Sequence, residues 1–328
     1  MAGRGSRLRP HTLTVPKPLI PVAGKPIVQR LVEDIVAVCS EKVDHIGFII
    51  GDFGKEVEEN LLNVAKELGA EGHIYYQETP EGTAHAIQCA KEILEGPCII
   101  GFADTLFRAD FKLDSSKDGI IWVNQVDDPS AFGVVKVNEE GNITDFIEKP
   151  STPVSNLAII GIYFFKEGEK LRDEIQYLLD NDIREKGEYQ ITNALENLKS
   201  KGAKFGTGEV LEWLDCGNKK ATVHSNHRVL EFKSGSEEMI HSHESENSII
   251  IPPCFIGEGA IIKNSIIGPH VSVGKGTEIS DSRISNAIVQ EDSRIFNKVI
   301  SNSMIGNHVT LTGNPADLSV GDYTVLED

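Results

Sequence analysis

From Ser248 onward the sequence repeats one short frame, an aliphatic residue, a glycine, two variable residues and then a small or aliphatic residue. Five stretches carry it: Ile256–Gly257 with Ala260, Ile267–Gly268 with Val271, Val273–Gly274 with Thr277, Ile305–Gly306 with Val309, and Val320–Gly321 with Thr324. Weaker copies surround Ile279, Ile284 and Ile295. A period of about six residues with one inward aliphatic per copy is the signature of a parallel β-helix, in which each coil covers the apolar interior of its neighbour. A left-handed parallel β-helix is therefore expected over 248–328. Such a tail serves acyltransferases as well as struts and oligomer surfaces, so function must be read elsewhere.

The chain has 328 residues, 40% of them hydrophobic, enough for two cores. No apolar run approaches the ~20 residues of a membrane helix. The opening thirty residues are basic, but Pro10, Pro16, Pro18, Pro21 and Pro26 forbid the amphipathic helix of a transit peptide. A cytoplasmic protein is expected. Cys39, Cys89, Cys98, Cys216 and Cys254 are widely spaced, with no C-x-x-C pair, which suggests neither a disulfide framework nor a zinc site. The formal net charge of −18 argues against nucleic acid as a partner. Yet residues 1–32 hold Arg4, Arg7, Arg9, Lys17, Lys25 and Arg30 and no carboxylate. A basic segment in an acidic chain points to a small polyanion bound there.

Between His45 and about Arg228 short apolar runs alternate with helical patterns. His45–Ile50, His73–Tyr76, Pro97–Ala103, Gly119–Asn124, Gly133–Val137 and Leu157–Phe165 read as strands. Lys55–Leu68, Thr83–Leu94, Glu167–Leu179, Gln190–Lys199 and Lys219–Glu231 read as helices. This is an α/β pattern, a mostly parallel, Rossmann-like sheet with helices on both faces. The domains expected are residues 1–232, a polar linker over 233–247, and the β-helix over 248–328. His241 and His243 in the linker read as solvated surface rather than metal ligands.

The chemistry concentrates in the opening string Gly3-Arg4-Gly5-Ser6-Arg7-Leu8-Arg9-Pro10, with Thr12, then Pro16-Lys17-Pro18-Leu19-Ile20-Pro21-Val22 and Gly24-Lys25-Pro26. Glycines let backbone amides approach phosphate oxygens, and an arginine forks across two of them. Lys17 sits between two prolines in a stiff loop that aims its ammonium.

This string closely resembles the signature of the sugar-1-phosphate nucleotidyltransferase family, over residues 1 to about 230. Hexapeptide tails also occur among its members. The resemblance implies joining of a nucleoside triphosphate to a sugar 1-phosphate with release of pyrophosphate. It implies that Gly3, Gly5, Ser6 and Arg7 cradle the triphosphate and that Lys17 offsets charge at the α-phosphorus. Gln77, Gly82 and Thr83, in Q-E-T-P-E-G-T-A-H-A, resemble the nucleobase segment, and a glutamine amide can read uracil or thymine. Asp104, in G-F-A-D-T, and Asp215, in W-L-D-C-G, resemble the pair that holds Mg2+. Gly133, Glu148, Lys149 and Asn156 resemble the sugar-phosphate pocket. Arg7, Lys17 and Lys149 are thus the expected catalytic cations, dTTP or UTP with glucose 1-phosphate the expected substrates, and a homo-oligomer the expected assembly.

Other readings are a mannose-1-phosphate guanylyltransferase, a regulatory relative that binds nucleotide sugars without turnover, and an acyltransferase acting through the tail. For the last, His270 and His308 lie in turn-like contexts. The family also has an apolar strand directly before the glycine loop, whereas this sequence begins within the loop, with Ala2 and Ala103 where glycine is frequent. A longer natural N-terminus is expected on that basis.

Overall fold

The computed structural model describes residues 5–109, 117–152, 154–314 and 320. They fall into two compact units, residues 1–20 with 25–221, and residues 21–24 with 222–328. Two-residue strands, β1 (Pro21–Val22) and β2 (Lys25–Pro26), precede α1 (Ile27–Val38).

The first unit continues through β3 (His45–Ile50), α2 (Lys55–Glu67), β4 (Glu71–Tyr76), α3 (Thr83–Gln88), β5 (Cys98–Gly101) and β6 (Thr105–Arg108). Next come β7 (Gly119–Gln125), β8 (Gly133–Val137), β9 (Ile143–Glu148), β10 (Leu157–Phe165), α4 (Gly168–Asp180), α5 (Ile191–Ser200), β11 (Phe205–Glu209) and β12 (Glu212–Asp215). The main sheet runs β11-β7-β10-β8-β9, with β5 also on β10. β11 lies parallel to β7, whereas β5, β7 and β8 all run antiparallel to β10. So β5, β7, β8 and β11 share one direction, as the Rossmann-like reading requires, with β10 inserted against them and β9 also opposed at the edge. β3 and β4 form a separate parallel pair. The stretch read as one helix over 83–94 divides into α3 and a 3-10 turn at Lys91–Ile93.

The core forms where helix stripes meet the sheet. Leu171, Ile175 and Leu178 of α4 and Ile191, Ala194 and Leu195 of α5 pack with Ile121, Val123, Tyr163, Phe165 and Phe205. These helical residues recur at three- and four-residue steps, the spacing of one buried face.

Helix α6 (Lys219–Phe232) runs from the first unit into the second. The second unit then winds through β13 (Glu244–Glu246), β14 (Ile249–Ile250), β15 (Cys254–Ile256), β16 (Ile261–Lys263), β17 (Ile266–Ile267), β18 (Val271–Val273), β19 (Glu278–Ser280), β20 (Arg283–Val289), β21 (Arg294–Phe296), β22 (Val299–Ile305) and β23 (Thr310–Thr312). All these pairings are parallel, as a β-helix demands. The stretch 233–247, read as a linker, contributes β13 as a rung and buries Met239.

Registers show how the coil is filled. Ile262, Ile279, Ile295 and Leu311 form one column, Ile250, Ile267, Ile284 and Ile300 a second, and Ile256, Val273, Val289 and Ile305 a third. Gly274 follows the third column at a corner where a Cβ would lie 2.6 Å from backbone atoms of Gln290 and Glu291. Ile262 is fully buried. Ile262→Ala is expected to destabilise this unit by about 2–5 kcal/mol through lost burial and an incompletely collapsed cavity. The check is the denaturation midpoint of the full chain followed by circular dichroism.

Candidate active site

Four stretches of chain meet at one cavity of about 910 Å3 in the first unit. Gly5, Ser6 and Arg7 contribute from the opening loop, Lys17 from the proline-flanked turn, Gln77, Gly82 and Thr83 from the segment after β4, and Asp104 from the segment after β5. Other stretches of the wall are apolar, among them Leu31 and Ile35 of α1, Phe48 of β3 and Ile100 of β5. A polar mouth beyond the carboxyl ends of strands is where open α/β sheets bind ligands.

The opening loop is held by its own backbone. Gly5 takes a left-handed conformation, φ 55, and starts a 3-10 turn whose Leu8 is fully buried. The Thr12 hydroxyl donates to the Gly5 carbonyl at 2.7 Å. Arg7 stays exposed at the rim. Gly3 lies outside the described residues.

Lys17 is only 8% exposed, in a 3-10 turn entered from Pro16. Its Nζ donates to Asp104 Oδ2 at 2.9 Å. Asp104 in turn lies beside Asp215 through the backbone: β12 pairs antiparallel with β6, Asp215 opposite Thr105, and the Cys216 amide donates to the Asp104 carbonyl at 3.0 Å. Burial raises the Asp215 carboxyl above its ordinary value and the Asp104 charge adds to this, while the Gly217 amide bond, Lys17 and Arg7 act against it. Two crowded carboxylates, one reluctant to ionise, form an oxygen donor set suited to a hard divalent cation such as Mg2+.

The 77–83 segment is fixed from a distant part of the chain. Gln77 is 7% exposed, and its Nε2 donates to the Gly82 carbonyl at 3.1 Å and faces His85 Nδ1 at the same distance. Gly82 has φ 119, and a Cβ there would sit 2.4 Å from the Tyr189 carbonyl oxygen. The Tyr189 amide donates to Glu81, the Ala84 amide to Tyr189, and the Ile191 amide to the Thr83 hydroxyl. Arg184 ties the same corner, donating to Glu81, Asp182 and Tyr189. Sequence reasoning missed residues 184–190. The contrast of Gly187-Glu188-Tyr189-Gln190 with the apolar start of α5 was the available signal.

The remaining expected site residues gather around β8 and β9. Gly133 lies opposite Glu148, and a Cβ on it would come within 3.1 Å of Glu148 Oε2. Glu148 accepts from Thr192 Oγ1 at 3.3 Å and pairs with Lys149 Nζ at 3.3 Å. Lys149 has φ 43, and Lys186, another residue missed, donates to the carbonyls of Glu148 and Lys149 at 3.2 and 2.6 Å. Buried Tyr163 links the two groups: burial raises its phenol first, then the charges of Glu148 and Asp104. Asn156 is exposed just before β10, and its carbonyl accepts from the Val126 amide.

Residues 1–231 match the profile of the family described as nucleotidyl transferase. The low-salt glycan biosynthesis nucleotidyltransferase Agl11 of Haloferax volcanii is 35% identical over 241 residues, which cover 71% of this chain and 65% of that protein, just under two thirds of its length. A glucose-1-phosphate thymidylyltransferase of Streptomyces antibioticus is 31% identical over 323 residues, 95% of this chain and 87% of that protein. Among solved structures, a UDP-glucose pyrophosphorylase complexed with UDP-glucose superposes with a TM-score of 0.59 at 23% identity, over 70% of this chain and 96% of that one. That likeness establishes the shared fold. Among the described residues no helix is long and apolar enough to cross a membrane.

Proposed function

The chain belongs to the nucleotidyl transferase family, and from that membership we propose that it makes a nucleoside diphosphate sugar and pyrophosphate from a nucleoside triphosphate and a sugar 1-phosphate. The substrates proposed are dTTP or UTP with glucose 1-phosphate. The observation that carries the reading is the buried Lys17 paired with Asp104, beside Asp215, at the mouth of a cavity also lined by Arg7 and Gln77.

In this reading a phosphate oxygen of the sugar 1-phosphate attacks the α-phosphorus in line, the bond from that phosphorus to the β-bridging oxygen breaks, and pyrophosphate leaves. Bringing two anions together is the main barrier, so positioned cations supply most of the catalysis. Arg7 forks across the leaving phosphates. Lys17 exchanges Asp104 for the α-phosphate. Lys149 neutralises the sugar phosphate, with Glu148 and Asn156 on the sugar hydroxyls beside Gly133. Gln77 Oε1 accepts from the pyrimidine imide and the Gly82 amide donates to a base carbonyl. Asp104 and Asp215 would hold Mg2+, which would withdraw charge from the phosphate oxygens. The enzyme acts as a homo-oligomer in the cytoplasm.

Pyrophosphate release with Mg2+ from five nucleotides (dTTP, UTP, GTP, CTP, ATP) against glucose, N-acetylglucosamine and mannose 1-phosphates tests this. The expected result is turnover of glucose 1-phosphate with dTTP or UTP, and a KM for that nucleotide about tenfold higher in Gln77→Ala, the cost of one hydrogen bond. Turnover confined to GTP with mannose 1-phosphate would make the chain a guanylyltransferase. Nucleotide binding without turnover of any pair would sink the catalytic reading in favour of a regulatory one.

A further inference from the structure

A second group of ligating side chains lies wholly within the second unit. On α6, His227 and Glu231 stand one turn apart, and His270 reaches the same carboxylate from the turn between β17 and β18. The imidazoles of His227 and His270 stack with centroids 3.6 Å apart and planes 9° from parallel. His270 Nε2 is bonded to Glu231 Oε1, and His227 Nε2 lies 4.0 Å from that oxygen. One ligand atom from each residue lies within 4.8 Å of the other two.

The chain builds this group with care. His270 has φ 63, a conformation rare for a side-chain-bearing residue. It is locked there by backbone bonds to both neighbouring coils: its amide donates to Pro253, and its carbonyl accepts from Ala287. Its side chain is only 16% exposed.

We propose that His227, Glu231 and His270 bind one Zn2+ ion. Two imidazoles and a carboxylate with a fourth position open to water form a donor set that zinc accepts. Imidazole nitrogen disfavours Mg2+ and Ca2+, which take oxygen ligands, so this site is distinct in chemistry from the carboxylate pair of the first unit. Zinc–ligand bonds of about 2.0–2.1 Å in a tetrahedron put ligand atoms about 3.3 Å apart. Both rings must turn well out of the stack to meet that geometry, because nearly parallel imidazoles point their in-plane lone pairs side by side rather than at one ion. The ion replaces the His270–Glu231 hydrogen bond and clamps the last turn of α6 to the coil. The inference does not depend on the reaction proposed above.

His45, Glu71 and His73 form another group of this composition, with His45 and Glu71 more than half exposed on β3 and β4. It serves as the internal control. The full chain is stripped with chelator, dialysed, and titrated with Zn2+ by calorimetry and with Co2+ by visible absorption. His227→Ala, Glu231→Gln and His270→Asn are compared with His73→Ala; asparagine tolerates the left-handed conformation at 270. The expected result is that His227→Ala and His270→Asn each lose one equivalent of Zn2+ and the Co2+ ligand-field bands. Glu231→Gln weakens binding on the order of 100-fold, the upper end of what even an outer-shell loss costs, and His73→Ala keeps both signals. Circular dichroism verifies folding, and His227→Ala and Glu231→Gln carry the test if His270→Asn fails to fold. Zinc binding that is absent from the parent chain, or unchanged in the α6 variants, overturns the proposal. So does binding removed by His73→Ala alone.

Discussion

Asp215→Asn is expected to lower kcat/KM by about 10^3-fold while raising the melting temperature in chelator. The activity loss follows from removing one of two carboxylates proposed to hold Mg2+, because charge stabilisation around a transferring phosphoryl group is the dominant catalytic term. The stability gain has the opposite origin. Burial, with the Asp104 charge behind it, makes the folded chain hold the Asp215 proton more tightly than the unfolded chain does. Between the ordinary value of 3.8 and the raised one, the native state therefore binds more protons than the unfolded state. Stability falls as pH rises through that window and stays lower above it. Asparagine removes the charge but keeps an Oδ1 to accept from the Gly217 amide, which Asp215 does at 2.9 Å. The same linkage sets the acid limb of activity: kcat/KM declines as pH falls through the raised Asp215 value, which lies above the ordinary one. Mg2+ raises the melting temperature of the parent chain and not of the variant. Unimpaired turnover together with a lower melting temperature in chelator would show that Asp215 is a structural cap rather than a metal ligand.

The β-helix was legible because its rule is local: one inward aliphatic, then a tight corner. Even so, the coil is not a multiple of six. Glu244 lies opposite Ile261 and Ile261 opposite Glu278, steps of 17 residues, and the next step, to Arg294, is 16. The glycine frames therefore belong to two columns. Gly257, Gly274 and Gly306 follow one, with Gln290 at the equivalent place, and Gly268 follows another. The copy at 320–324 falls outside the described residues apart from Val320. The polar side of the coil was not legible. The Ser248 hydroxyl accepts from the Ser265 amide, Ser265 from Ser282, and Ser282 from Lys298, a ladder that sequence cannot distinguish from surface serines.

In the first unit, strand positions were readable from apolar runs, but direction was not, since periodicity carries no sign. Hence the insertion of β10 against its neighbours emerges only from the structure. Helix α1 escaped notice behind the proline-rich opening, although Ile27, Val28 and Leu31 are buried at helical spacing. The site divides in the same way. Loop glycines and charged residues stand out in a linear string. The Tyr189 and Arg184 clamp on the 77–83 segment is more than a hundred residues away, and its Tyr189 half is made by backbone atoms that every residue possesses.

Lys17→Ala is expected to reduce kcat by about 10^3-fold with a smaller change in nucleotide KM. A cation aimed at charge that develops only in the transition state affects turnover more than binding. The turn entered from Pro16 holds this ammonium at 8% exposure, so little reorganisation is needed when phosphate arrives. The fold itself should tolerate the change. Asp104, the partner left behind, is 47% exposed, and water can solvate it. Lys17→Arg separates charge from placement. A guanidinium is larger, planar and forked, and the buried turn offers it no equivalent seat. It should recover less than tenfold of the loss. A Lys17→Ala enzyme keeping more than a tenth of parental kcat, or full rescue by arginine, would mean that Lys17 contributes only to the net positive potential of the loop.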